Sequence, residues 1–463
     1  MTAADDTTIT SPPVGIPTVT PSPAVPADPP GRSRRGFTAL LVAETISTAG
    51  TRMSQLALPW LVLTTTHDPV TTGLVGLAEI APYVVLKILG APLVDALGGR
   101  RVAVTGNLLA AAAMGTVPVL WSAGYHQLLP LLLLVFVAGT ARGPADSAAA
   151  VMVPAVTATA GVGIDRGVAL LDGASRTATL LGAPAGGVLI GVLGAANVVA
   201  LDAASFAVAA VLFLLIPRSA GTTTDPAVDA RTDPADPAGD PDTAGYLTQL
   251  RDGFRYVAHQ RLLRSIAGMV AFTNFADAAM SGLLLLLWAQ HRYGGTSRLG
   301  VVVAVFGAGA VAGTALIATH GGHLPRRWTF AVTFALVGAP RFVVLAVPAP
   351  LWAVLVVWGL SGVAAGAINP LLSAAEYETV PRPLQARVLG SVGGIAWAGI
   401  PFGALLAGVL VDATSLTTAL VVGAAVYGLA TLDPFLRPAW TLMNRAPDIH
   451  PEASASKAMS TAD

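Results

Sequence analysis

Long, nearly uniformly apolar runs alternate along the chain with short polar ones. Twelve of them, at about 37–63, 71–94, 102–123, 128–150, 167–193, 196–216, 263–289, 298–319, 328–347, 350–372, 387–411 and 415–436, reach the ~20 residues that a helix needs to cross a hydrocarbon core. The pattern predicts twelve membrane-spanning helices. The one long polar interruption contains TDPAVDARTDPADPAGDPDTAG, whose Asp-Pro repetition cannot bury a core and predicts a disordered linker. This divides the chain into a tail (1–35), a six-helix half (36–217), the linker (218–246), a surface helix (247–262), a second six-helix half (263–437) and a second tail (438–463). The surface helix follows from Leu250, Phe254 and Val257, which fall at helical spacing opposite Arg251, Arg255 and Arg261, as suits a helix lying on a membrane. The first tail is rich in Pro, Thr and Asp and has no apolar core of the secretory type, so the first run reads as a retained anchor.

Composition agrees with the pattern. The chain is 54% hydrophobic and 11% charged with a mean hydropathy of +0.68, whereas soluble domains carry ~25% charged residues. Twenty-six basic residues balance 26 acidic ones, so no nucleic-acid partner is expected. Cysteine is absent, which excludes disulfides, thiolate metal sites and cysteine nucleophiles. Placement of the basic residues sets orientation. With the N-terminus inside, almost every loop arginine is cytoplasmic, and only Arg292 and Arg298 fall outside. Both termini are therefore expected in the cytoplasm of a cell whose plasma membrane holds the chain.

The halves echo one another. Gly90 and the pair Arg100–Arg101 follow the second run as Gly313 and Arg326–Arg327 follow the eighth, and GAPAGGVLIGVLG from Gly182 resembles GIPFGALLAGVLVD from Gly399 at nearly the same offset. An internal repeat of this kind is the architecture of many secondary transporters.

The segment GAPLVDALGGRR, at the end of the second run, resembles the loop signature of the major facilitator superfamily, roughly G-x-L-x-D-x-x-G-R-[KR]. Gly90, Asp95, Gly98, Arg100 and Arg101 fall in register, with Gly99 at the usual first basic position. ALPWLVL in helix one and LDAASFAVAA in helix six are similar to the branch of macrolide efflux proteins and enterobactin exporters, and the resemblance covers about residues 36–437. It implies an all-α polytopic fold of two pseudo-symmetric six-helix halves. It also implies a cytoplasmic latch, closed when the site opens outward, in which Asp95 meets the start of helix eleven near Arg387, joined by Arg142 and Asp146. The second-half copy has Ala318 in place of the aspartate. Gly182, Pro184, Gly186 and Gly187 resemble the G-P-x-x-G-G motif of antiporters, with the proline displaced by one; proline and small residues there suit a bendable, closely packed helix.

Ionisable residues inside membrane spans cost ~2.5–3.5 kcal/mol on insertion scales and mark function. Here they include Glu44 and Arg52 in helix one, Glu79 and Lys87 in helix two, Asp172 and Arg176 in helix five, Asp202 in helix six, Asp277 in helix seven and Arg341 in helix nine. Asp172 and Arg176, four residues apart, can satisfy each other. The resemblance makes helices six and nine peripheral, which demotes Asp202 and Arg341. Arg52 and Asp277 lie at midplane depth in opposite halves, where such transporters bind substrate, and are expected to form a pair across the halves. Glu44, nearer the cytoplasm, and Glu79, in the outer half, are candidate proton carriers; each could instead neutralise Arg52 or Lys87.

A proton moving through 100 mV releases about 2.3 kcal/mol, and each pH unit adds about 1.4, enough to support a gradient above tenfold. The chain has no G-x-x-x-x-G-K-[ST], HExxH or G-x-S-x-G, and His320 and His323 in HGGH lack a third partner, so no cofactor, metal or enzyme activity is expected. The residues and the resemblance together predict a monomeric, proton-coupled exporter of a small, largely apolar organic compound such as an antibiotic or siderophore, with the bilayer, the substrate and protons as its partners; export over import is what the resemblance implies. The alternatives are an importer of the same fold and a non-transporting membrane sensor or lipid-handling protein.

Overall fold

The first apolar run becomes helix α1, Arg35–Thr66, in the computed structural model. His67, in the left-handed region at φ 54°, closes it by donating its N–H to the Leu63 carbonyl. Asp68 then caps α2, Pro69–Leu89, accepting the amides of Val70 at 2.9 Å and Thr71 at 3.2 Å. The Thr71 hydroxyl and these amides hold the Asp68 carboxyl below the usual carboxylate range. The remaining helices of the first half are α3 (Gly99–Ser122), α4 (Leu128–Ala160), α5 (Ile164–Leu193) and α6 (Ala195–Leu214). The second half holds α7 (Arg261–Tyr293), α8 (Ser297–His320), α9 (Arg326–Ala346), α10 (Leu351–Thr379), α11 (Gln385–Trp397 and Ile400–Ala413) and α12 (Leu416–Leu436). The structure describes residues 34–217, 246–293, 297–320, 325–380 and 384–444, and every regular element among them is helical. Most of the expected linker and of both tails lies outside the described residues.

Eleven of these helices are long and apolar enough to cross a membrane. α1 has 32 residues, about 48 Å at 1.5 Å per residue, but Glu44, Arg52 and several hydroxyl side chains lower its hydropathy. It packs against α2, α5 and α6, which bury Ser47, Thr51 and Ser54 of its polar residues.

Several span ends differ from those read in the sequence. Helix two stops at Leu89, and the motif segment forms a separate short helix, Ala91–Leu97, ended by Gly98 at φ 84°. α4 and α10 continue to Ala160 and Thr379, beyond the ends read at 150 and 372, and α10 passes its apolar stretch. α7 passes through a π-helical turn at Met280–Leu284, α9 is broken at Gly338, and α11 is broken at Ala398–Gly399. The surface helix is Tyr246–His259. Its Val257 is buried against α7 and α11, whereas Phe254, Arg251 and Arg255 are exposed and Leu250 is outside the described side chains.

We call the end of the bundle where α1 begins the basic face, because Arg34, Arg35, Arg100, Arg101, Arg326 and Arg327 cluster there, and the other end the far face. One apolar core joins the halves at the far face, from Leu56 and Leu61 to Leu284 and Ala407, and in the second half it runs on to Leu262, Phe330 and Trp440. At the basic face the core is split. Phe37, Leu40, Met152 and Phe213 cluster within the first half, and Val257, Leu263 and Val392 cluster within the second. The far-face seams rest on small residues. A methyl on Gly73 of α2 would lie 2.6 Å from the Ala404 carbonyl oxygen of α11, one on Gly408 of α11 would lie 2.5 Å from the Pro69 carbonyl, and one on Gly300 of α8 would lie 3.3 Å from that of Pro184 in α5. The protein is thus closed at the far face and parted toward the basic face.

Candidate functional site

Charged groups of the first half gather in the interior, around Arg142 of α4. Its guanidinium lies 3.9 Å from Asp146 and stacks over the rings of Phe206, at 4.8 Å, and Tyr83, at 5.6 Å. The Tyr83 hydroxyl donates to Asp146 at 2.8 Å and accepts from Lys87 at 3.0 Å. Glu44 of α1 has Asp146, Arg142 and Lys87 as its charged neighbours, and Glu79 and Asp202 are charged neighbours of Arg142. Asp202 is fully buried, with the Ser205 hydroxyl 3.3 Å from one of its oxygens. Lys87 also reaches the other half, its ammonium 5.1 Å from the centre of the Trp397 ring in α11.

The second half contains a cleft with two lobes that share Val270, Asn274, Asn369 and Leu372. The lobe nearer the basic face, about 250 Å³, ends at Glu376 and Trp397; the deeper one, about 190 Å³, ends at Asp277 and Arg341. The broken α9 explains the deep end. A side chain on Gly338 would strike the Tyr427 ring, and the break leaves the Val337 carbonyl to the Nε of Arg341. The same guanidinium donates to Oδ1 of Asp277 and lies over Phe306 and Trp358, at 5.1 and 5.4 Å. Arg341 is 7% exposed and Asp277 36%, so the cleft meets the carboxylate with the cation behind it. At the shallow end, Glu376 lies beyond the apolar part of α10, Leu351–Ser373, and burial pushes its carboxyl up to about 7. Asn274 holds the wall between the lobes, donating at 2.9 Å to the Ala396 carbonyl just before the break in α11.

Arg52 and Asp277 do not meet. Arg52 bonds Gln55 at 3.0 Å and Thr179 of α5 at 3.3 Å, whereas Asp277 takes Arg341, a residue that the resemblance had placed at the periphery. Equal depth left the facing direction open, and the α9 break turns Arg341 inward. Neither Glu44 nor Glu79 forms an ion pair with Arg52 or Lys87 among the described residues; Lys87 is taken by Tyr83. Asp172 and Arg176 do pair, at 2.7 Å, on an exposed face. α5 runs continuously through Gly182, Pro184, Gly186 and Gly187. Methyls on Gly182 and Gly186 would lie 2.9 Å from the Ala49 carbonyl and 2.8 Å from the Met53 Cα of α1.

At the basic face, Gly90 ends α2 against Pro144 of α4. Arg100 binds the last carbonyls of α6, Phe213 at 3.3 Å and Leu214 at 2.6 Å, while Arg101 is exposed. Arg327 does the same for Pro434 and Phe435 at the end of α12, at 2.9 and 3.1 Å, so each half uses one arginine of its basic pair as a helix cap. The side chains of Asp95 and Arg387, the two ends of the expected latch, lie outside the described residues, as do those of His320 and His323. Sequence reading missed Tyr83, Trp397 and Glu376. Glu376 fell in a segment read as loop; the aromatic residues carried no signal apart from their neighbours in the fold.

Residues 30–453 match the family model described as a transmembrane secretion effector. The multidrug efflux pump Tap of Mycolicibacterium fortuitum is 27% identical over 384 residues, covering 81% of this chain and 89% of that protein. The pump of the same name from Mycobacterium tuberculosis is 28% identical over 386 residues, covering 81% and 87%. Among solved structures, a point mutant of the nucleoside transporter NupG superposes with a TM-score of 0.69 at 12% identity, over 89% of this chain and all of that one. A bacterial homologue of the human lysosomal transporter Spinster, inward-facing and unoccupied, gives 0.65 at 13% identity over 90% and 97%. At such identities the likeness of the structures is one of fold.

Proposed function

The chain belongs to the transmembrane secretion effector family and is a membrane transporter of small molecules, and from that premise we propose that it exports a small, largely apolar organic compound by alternating access, driven by inward flow of protons. The observation that carries the reading is the uneven joint between the halves, packed through glycines at the far face and divided at the basic face. The bias of loop arginines supports a cytoplasmic basic face, with the chain in the plasma membrane and both termini inside. The structure then represents the state that loads from the cytoplasm. Segments 36–217 and 263–437 act as the two moving units, joined by the 218–246 linker and its 247–262 helix, in a single functional chain. In the opposite state Asp95 closes on the start of α11 near Arg387.

Protons are carried by the first half. Glu44 and Glu79 flank Arg142 and Asp146, and carboxyl groups in low-dielectric surroundings are natural proton carriers. The substrate is held by the second half, where Asp277 faces a cleft with aromatic walls. Direction is supported by the relatives named as efflux pumps. The test is the accumulation of a compound panel in cells with and without the chain. Accumulation of at least one compound should fall when the chain is present and recover with a protonophore. Raised accumulation would mean import, and insensitivity to the protonophore would remove the proton.

A further inference from the structure

We propose that the two-lobed cleft of the second half is built for an elongated organic cation, with one amine or amidine on the free oxygen of Asp277 and, in dications, a second at Glu376. The inference rests on the transporter reading and adds the substrate's chemistry to it.

Three features converge. Among the described residues, the only charged ones lining the cleft are Asp277, Arg341 and Glu376, which leaves its walls net negative when Glu376 is ionised. The cation among them is already engaged: its Nε serves the Val337 carbonyl, another nitrogen serves Oδ1 of Asp277, and two aromatic rings cover its faces. Arg341 is therefore a fixed positive group behind the carboxylate, holding Asp277 in one rotamer without presenting charge to a ligand. Oδ2 of Asp277 accepts no hydrogen bond among the described residues, and the side chain is the more exposed member of the pair. A neutral ligand would leave that oxygen without a strong donor, and an anion would be repelled by it.

The second carboxyl gives the site length. Asn369, Leu372 and Glu376 share one face of α10, and the seven residues from Asn369 to Glu376 rise about 10 Å along the helix. Asn369 lines the deep lobe with Asp277, whereas Glu376 lines the shallow lobe alone. Between them Asn274 and Asn369 offer amide groups, and Phe306, Phe334 and Trp397 add aromatic wall, which suits flat apolar bodies. A compound with an apolar middle and a basic group at each end matches this order.

Equilibrium binding to the purified full-length chain in a non-ionic detergent, followed by calorimetry at about pH 8 so that Glu376 is ionised, tests the assignment. The probes are ethidium, with one positive charge; pentamidine, with an amidinium at each end; chloramphenicol, neutral; and taurocholate, an anion. Both cations should bind at least ~tenfold tighter than the other two. Asp277→Asn should weaken both cations ~tenfold or more, and Glu376→Gln should weaken pentamidine ~tenfold while changing ethidium less than ~threefold. If Asp277→Asn does not yield folded protein, the contrast between the two cations on Glu376→Gln decides. Equal affinity for chloramphenicol, or wild-type affinity for both cations in the two variants, overturns the proposal. Neither direction nor driving ion enters this measurement. Cation binding without altered accumulation in cells would leave the site standing and remove the export reading, and export of neutral compounds without cation binding would do the reverse.

Discussion

Glu376 stands where two solvents meet. The apolar stretch of α10 ends at Ser373 and the helix continues to Thr379, so the carboxyl is partly covered by α7 and α11. Burial raises it from 4.5 to about 7. Between those values the folded protein retains a proton that the unfolded chain releases, so the contribution of this group to stability declines as pH rises through the window and is level above it. Glu376→Gln should therefore flatten the fall in melting temperature of the detergent-solubilised protein from about pH 5 to about pH 8, and the variant should exceed the wild type above pH 7. Parallel melting curves for the two proteins across that range would show that the carboxyl is not held protonated by burial. Arg341 illustrates the same dependence of chemistry on surroundings, since one guanidinium completes a helix break and fixes Asp277.

Helices here are joined by missing side chains more than by large ones. Where α8 crosses α10, a methyl on Gly313 would lie 1.8 Å from the Val363 carbonyl oxygen and one on Gly366 2.1 Å from that of Ala310, and Thr314 donates to the Gly366 carbonyl at 3.0 Å. Gly366→Ala should consequently destabilise the protein by the ~1–3 kcal/mol typical of overpacking and so lower its melting temperature. Gly268→Ala, in α7 with nothing within 4 Å of the added methyl, should leave it unchanged or raise it. Similar losses from both would mean that helix propensity, and not close approach, governs these glycines. At this scale the sequence was most legible in what lipid dictates. Runs such as 196–216 and 298–319 nearly reproduce α6 and α8 because hydropathy measures the thickness of hydrocarbon. It says little about the end of α10, whose last turns leave the apolar layer but keep their backbone hydrogen bonds, and that is why Glu376 was read as loop. Depth along a helix was legible too, but not facing direction. Arg52 and Asp277 share a level, yet they point to Thr179 and Arg341, because azimuth depends on neighbours that spacing within one helix does not name.

The arrangement of the whole molecule depends on which face holds the halves together. Gly73 and Gly408 allow α2 and α11 to meet backbone to backbone at the far face, and the atoms nearest to a methyl on either glycine belong to the other half. Gly73→Val puts side-chain atoms where the Ala404 carbonyl and the Leu405 Cα now lie. The cost, ~1–3 kcal/mol or more, falls on the closed far face alone, because a state with that face parted has room for the side chain. An equilibrium shifted by that amount changes the ratio of the two states by roughly ten- to a hundredfold. The chain has no cysteine, so single cysteines report each face without background. In the Gly73→Val background, a thiol at Leu405→Cys should react faster with a membrane-impermeant maleimide applied to purified protein, and one at Asn369→Cys, in the cleft, more slowly. The opposite changes should hold for a variant that stabilises the far-face seam. If Gly73→Val raises labelling at both sites, the halves have separated or unfolded without alternating. If it raises labelling at neither, the glycine seam does not set the balance between the two states.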